Sequence, residues 1–174
     1  MRGINVSGQK MIKMDVLKEI YKSLHFMNIQ TYLQSGNVVF QFKKSENNDL
    51  EKKISSQIQK SLGFEVPVIV LEADELKDVI EMNPYKDDKT KNISYLHVTF
   101  LSSKPEPVNL DTINKIKSPG EELSLIERAV YLYCPNGYGK TKLSNTFLEN
   151  RLNVVATTRN WKTTLQLLNI AEGN

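Results

Sequence analysis

An order of hydrophobic patterns that comes round twice limits this chain to few architectures. Arg2 to Val6 opens it as a short extended run. Leu17, Ile20, Tyr21 and Leu24 then recur at helical spacing, so Asp15 to Met27 is expected to form an amphipathic helix with Asp15 at its positive end. Ile29 to Gln34 and Val38 to Phe42, rich in β-branched and aromatic residues, flank Ser35-Gly36-Asn37 as the arms of a hairpin. Leu50, Ile54, Ile58 and Leu62 follow at fourfold spacing, between a cap at Asn48 or Asp49 and a stop at Gly63. Val66 to Leu71, almost continuously apolar, reads as a buried strand. Strand, helix, strand, strand, helix, strand is the split βαβ, or ferredoxin-like, order.

A helix from Ala73 to Met82 ends ahead of Asn83-Pro84, because the residue before a proline disfavours helix. After a polar stretch the pattern restarts. Tyr95 to Leu101 alternates as a strand, Leu110 to Lys117 forms a short helix, Leu123 to Glu127 pairs with Val130 to Tyr133, and a helix runs from Lys140 to Asn150. A last helix spans Asn160 to Ile170, with Trp161, Leu165 and Leu168 on one stripe. The expected fold is α+β, with two ferredoxin-like (split βαβ) subdomains in tandem. Residues 1–83 make the first and residues 84–93 a linker; residues 94–174 make a degenerate second, βαββα plus the C-terminal helix.

Composition excludes whole classes. Eight Gly and six Pro among 174 residues do not suit a collagenous or low-complexity chain, and no apolar run approaches the roughly 18 residues of a membrane span. The one cysteine, Cys134, has no partner for an internal disulfide and reads as an inert thiol; with His25 and His97 it makes no ordinary zinc set, so no metal is expected. The first residues lack the apolar core of a signal peptide, and the expectation is a cytoplasmic protein. The net charge of +3 is unevenly spread. Residues 1–42 carry five basic and two acidic groups, residues 43–137 carry 13 and 16, and residues 138–174 carry five and two. Two basic ends would attract an anion if their fields add; the plainer reading is a solvated surface of mixed charge.

Five blocks spread over the whole chain, Arg2-Gly3-Ile4-Asn5-Val6 with Gly8, Tyr32 to Phe40, Leu96 to Leu101, Pro135-Asn136-Gly137 with Gly139 and Thr141, and Thr157 to Trp161, stand in a distinctive order. Together they resemble the uncharacterised bacterial family called domain of unknown function 1697. The resemblance implies ferredoxin-like α+β subdomains and carries no activity with it. Members usually have several further apolar residues before the Arg-Gly-Ile-Asn block, so the first strand here is either shortened or begins upstream of Met1.

Within these blocks, Gly137-Tyr138-Gly139-Lys140-Thr141 lies between strand and helix like a phosphate loop. Cys134 occupies the place of the leading Walker glycine and no acidic strand end is placed for magnesium, so a nucleoside triphosphatase is not expected. Lys140 and Lys142 in a first helical turn would oppose the helix dipole, a conflict that a bound anion relieves. Alternatively the helix begins later, capped by Ser144, and both lysines stay in the loop. Gly3 and Gly8 outline a weaker loop of the same kind, with Arg2 and Asn5 as its polar members. Thr157 to Trp161 sets Arg159 and Asn160 at the start of the last helix, either as an anion cradle or as a plain cap with Trp161 in the core.

The hairpin has Asn37 and Val39 where an RNA-recognition module carries stacking aromatics, so sequence-specific RNA binding is not expected. His97 faces away from Leu96, Val98 and Phe100, as a general base in a cleft or as a structural histidine. These readings compose one candidate site: Arg2, Lys140, Lys142 and Arg159 for charge, Gly139, Thr141, Asn5 and Asn160 for amides and hydrogen bonds, and Gln34, Asn37 and His97 along a cleft. Its expected ligand is a small phosphorylated or otherwise anionic molecule, a nucleotide among the candidates. The alternative is a non-catalytic interaction module for nucleic-acid backbone or a protein partner. No catalytic residue, cofactor or oligomeric state is assigned.

Overall fold

The computed structural model of the protein describes residues 1–6, 8–43, 45–108 and 110–173. In chain order the elements are α1 (Met14–Ser23), β1 (Met27–Tyr32), β2 (Asn37–Gln41), α2 (Asn47–Leu62), α3 (Ala73–Glu81), β3 (Leu96–Leu101), α4 (Leu110–Asn114), β4 (Glu122–Ile126), β5 (Ala129–Tyr133), α5 (Asn145–Leu152), β6 (Ala156–Asn160) and α6 (Trp161–Ala171). Short 3-10 turns stand at Ile93–Tyr95 and Tyr138–Lys140. This is the mixed α+β composition expected. The chain divides into two compact units, one of Met1–Leu76 with the residues from Leu167 onward, the other of Lys77–Gln166.

In the first unit α1 and α2 pack on the antiparallel hairpin β1–β2, which pairs Thr31 with Val38 and Tyr32 with Asn37. Leu17, Ile20 and Tyr21 of α1 and Leu50, Ile54 and Ile58 of α2 are buried with Phe26, each such side chain contributing about 1.5–3 kcal/mol of hydrophobic stabilisation. Phe26 stacks on Phe40 at 4.3 Å while Tyr21 meets both rings edge-on. The chain turns from β1 to β2 through Leu33 and Gly36, both left-handed (φ 57 and 74). A Cβ at Gly36 would stand 2.6 Å from Ile4 Cδ1, so the hairpin turn can meet the N-terminal segment only at a glycine. Gly63 ends α2 in the left-handed region, as expected. The expected cap of α2 is corrected: Asn48 and Asp49 lie inside the helix and the N-cap is Glu46, while Asn47 donates its amide to Glu75 at 2.7 Å.

Two strands expected in this unit are absent. Arg2 to Val6 and Val66 to Leu71 lie in no sheet and are joined by a backbone bond from Arg2 N–H to Pro67 C=O at 2.9 Å. Gly3 and Asn5 have positive φ (70 and 54), which breaks the extended run, and Pro67 has no N–H to donate to a ladder. Their apolar side chains still serve the core, with Ile4, Val66 and Val68 buried.

The second unit holds the full sheet. Its order is β4-β5-β3-β6, every neighbouring pair antiparallel, with α4 between β3 and β4 and α5 between β5 and β6. Both crossovers therefore skip one strand position. One face carries Leu101, Val130, Leu132 and Ala156 under Ile113 of α4 and Leu148 and Leu152 of α5. On the other, the Tyr131 hydroxyl donates to the Val79 carbonyl of α3 at 2.7 Å. This unit was expected to be the degenerate one; Thr157 and Thr158 instead extend β6 alongside Phe100 and Thr99, and α6 starts only after Asn160.

Candidate functional site

The expected site residues fall in two groups. Arg2, Asn5, Gln34 and Asn37 belong to the first unit, His97, Gly139, Lys140, Thr141, Lys142, Arg159 and Asn160 to the second. In the first, Asn5 is a clamp. Its amide nitrogen donates to the carbonyls of Ile12 (2.9 Å) and Gln34 (2.7 Å), and its Oδ1 accepts from Ile12 N–H at 2.7 Å. That pins the 5–12 loop to the hairpin turn. Asn37, buried at the start of β2, donates to Tyr32 C=O (3.0 Å) and Ser35 Oγ (2.9 Å) and so closes the turn. Arg2 is half-buried and Gln34 exposed.

In the second unit the centre is Thr158. The register sets it beside Thr99, and the two hydroxyls meet at 2.7 Å. Tyr138 O–H donates to Thr158 Oγ1 at 3.0 Å, and Thr158 donates to Asn145 Oδ1 at 2.6 Å. A hydroxyl has one proton, so Thr99 must be the donor in its bond to Thr158. Thr158 thus accepts twice and donates once, and the protons of all three hydroxyls are used within the network. His97 lies parallel to the Tyr138 ring, centroids 4.8 Å apart, with Nδ1 3.1 Å from Tyr95 C=O. A carbonyl partner makes Nδ1 the protonated nitrogen and leaves Nε2 as the basic one. Burial lowers the imidazole pKa, against the Tyr95 hydrogen bond.

Arg159, on the neighbouring position of β6, donates through Nη1 to Thr157 Oγ1 (2.7 Å) and Thr158 C=O (2.8 Å). Burial pushes its guanidinium down to about 10, with Tyr138 acting the other way, so it stays charged at neutral pH. Asn160, expected at the start of the last helix as part of a cradle or as a plain cap, is the end of strand β6 and takes the cap role. Its Oδ1 accepts Lys162 N–H at 3.0 Å and its amide donates to Ser94 C=O at 3.0 Å.

The helix start expected at Lys140 is corrected as well. Lys140 and Thr141 give their N–H groups to Gly137 and Tyr138 in the 3-10 turn, and Thr141 Oγ1 accepts from Leu143 N–H at 3.1 Å. Helix α5 begins after Ser144, whose hydroxyl accepts from Phe147 N–H at 3.3 Å. The alternative start is the observed one, with Lys140 and Lys142 exposed in the loop and Gly139 exposed beside them. Sequence reasoning missed Tyr138, Thr99 and Asn145 as members. The signal for Thr99 was its strand alternation with His97, but only strand register pairs it with Thr158.

Two other polar centres are self-contained. Cys134 is buried against Glu121 and its thiol is pushed up to about 11, first by burial and then by that carboxylate. Lys91 reaches Glu122 at 2.6 Å and Asp88 at 3.0 Å with its ammonium over the rings of Tyr133 and Tyr85. Among the described residues no group of three or more His, Cys, Asp or Glu is placed to hold a metal ion, and no helix is long and apolar enough to cross a membrane.

The family model described as Protein of unknown function (DUF1697) matches residues 1–131. A solved structure, that of the conserved bacterial protein SP0830 from Streptococcus pneumoniae, is similar at a TM-score of 0.69 and 22% identity, covering 98% of this chain and 94% of that one. At that identity the likeness speaks to the fold. No curated protein matches the chain.

Proposed function

The chain belongs to the DUF1697 family of proteins of unknown function, and we propose that it binds a small phosphorylated anion where the 137–142 turn stands beside β6. The observation that carries this reading is the Tyr138–Thr158 hydrogen bond, 3.0 Å across 20 residues of sequence. It fastens the turn bearing Lys140 and Lys142 to β6, the strand that bears Arg159 one position on from Thr158. Lys140 and Lys142 supply long-range attraction from the loop; Arg159, whose guanidinium already holds Thr157 and Thr158, adds positive charge and fixes the geometry of β6. Asn160 acts in this reading as a positioning residue, its amide being spent on a backbone carbonyl, and Asn5 belongs to the other unit. Arg2, in the other unit, is left out of it. A reducing, cytoplasmic setting suits the single buried thiol. The two units fit a ferredoxin-like pair in which one kept its ladder and the other only its hairpin.

Thermal unfolding in the presence of inorganic phosphate, phosphorylated metabolites and nucleotides tests the proposal. A ligand at a hundred times its Kd stabilises by about 2.7 kcal/mol, a rise in Tm of roughly 5–10 °C for a chain of this size. Lys140→Ala with Lys142→Ala, and separately Arg159→Lys, should each weaken that rise. Binding should fall only gently with salt, since one small anion releases few counterions; a steep fall would mark the nucleic-acid backbone instead. If no anion shifts the transition, the reading fails.

A further inference from the structure

The sheet of the second unit has two edges, and they are finished differently. Bonds from Leu101 N–H to Arg128 C=O and from Cys134 N–H to Tyr95 C=O fix which residues of β5 turn their backbone to β3. By alternation Ala129, Tyr131 and Tyr133 turn theirs to β4, where they face Ile126, Ser124 and Glu122. Leu123 and Leu125 therefore direct both N–H and C=O outward. Among the described residues no group of the chain meets these four.

At the opposite edge, outward groups of β6 are taken by side chains. Ala156 N–H donates to Glu149 Oε1 (2.9 Å), Thr158 C=O accepts from Arg159 (2.8 Å) and Asn160 C=O accepts from the Thr164 hydroxyl (3.3 Å). Soluble proteins usually guard an edge strand with such side chains, with lysine, or with proline or a bulge. The strand β4, Glu-Leu-Ser-Leu-Ile, has none of these, and all five of its residues are half-exposed.

We propose that β4 pairs antiparallel with β4 of a second copy of this chain, about a twofold axis at Ser124, joining two four-stranded sheets into one of eight. The strand is its own complement. Leu123 of one copy faces Leu125 of the other, and each such pair exchanges two N–H to C=O bonds, so all four outward groups are satisfied on both chains. The two Ser124 residues meet on the axis as a non-hydrogen-bonded pair. Glu122 falls opposite Ile126 of the second copy, and its carboxylate is already neutralised by Lys91 at 2.6 Å, so no like charges oppose within the paired strands.

The test is the mass of the full chain by sedimentation equilibrium from about 1 to 200 μM, a range that covers weak and moderate dimers. The expected result is association toward twice the 19.9 kDa chain mass. Ser124→Lys places two ammonium groups on the axis and should weaken the dimer tenfold or more, with circular dichroism unchanged. In Ser124→Cys the thiols stand at a Cα separation of ~4.5 Å, within disulfide reach. Glutathione disulfide as oxidant should then give a covalent dimer, which buried Cys134 cannot mimic. A chain that stays monomeric to the top of the range, or a dimer unaffected by Ser124→Lys and not trapped by Ser124→Cys, overturns the proposal.

Discussion

At Gly36 the absence of one methyl group lets the hairpin turn lie against Ile4 and Met1. Gly36→Ala adds two costs: a left-handed φ of 74 for a residue with a Cβ, and a contact of 2.6 Å with a buried isoleucine. The expected loss is about 2 kcal/mol, read as a lower urea midpoint with unchanged slope; a midpoint equal to the parent would mean that the turn relaxes freely. The role of this glycine as a turn residue was legible from Ser35-Gly36-Asn37. Its close contact was not, because nothing local in Met1 to Ile4 says that this segment returns to the hairpin 32 residues later. Thr158 was hidden in the same way. A threonine before Arg-Asn-Trp suits a helix start as well as a strand, and only the partner Thr99, 59 residues away, decides for the strand.

Elements were legible where one periodicity ran unopposed, as in α1, α2, the hairpin and β3 to β5. They failed where backbone chemistry overruled the side-chain pattern. Val66 to Leu71 has the apolar content of a strand, but Pro67 removes a donor; Arg2 to Val6 has it too, but Gly3 and Asn5 turn left-handed. At α5 the competition is between Lys140 and Ser144 as the start, and the cap prevails because the preceding amides are used in the 3-10 turn. Ser144→Ala should therefore destabilise by about 1 kcal/mol, measured by chemical denaturation, while Lys140→Ala alone leaves the helix content untouched. Equal costs for the two substitutions would contradict the observed boundary.

Over the whole molecule, burial of weak acids sets how the fold responds to alkali. The Cys134 thiol is raised from 9.0 to about 11, and the hydroxyls of Tyr85 and Tyr131 from 10.0 to about 12, chiefly by burial. In each case the unfolded chain releases the proton first as pH rises, so the native state binds more protons there and stability falls with pH. The loss should begin near pH 9 and deepen toward pH 12, seen as a falling Tm between pH 8 and 11; Cys134→Ala should make the first part of that slope shallower. A flat profile would contradict the burial of these groups. The division of charge along the chain was readable from composition, while its division among units was not, since the residues from Leu167 onward are grouped with the first unit.

Lys91 bears on how the folded chain is cut. A protease that reads lysine has to extract the side chain, and here its ammonium is held by Glu122 and Asp88 over two tyrosine rings. Lys89, two residues before it, stands exposed. A cut after Lys89 leaves Asp88 on one fragment and Lys91 on the other, 3.0 Å apart, so the nicked ends stay tied to each other by an ion pair in place of the peptide bond.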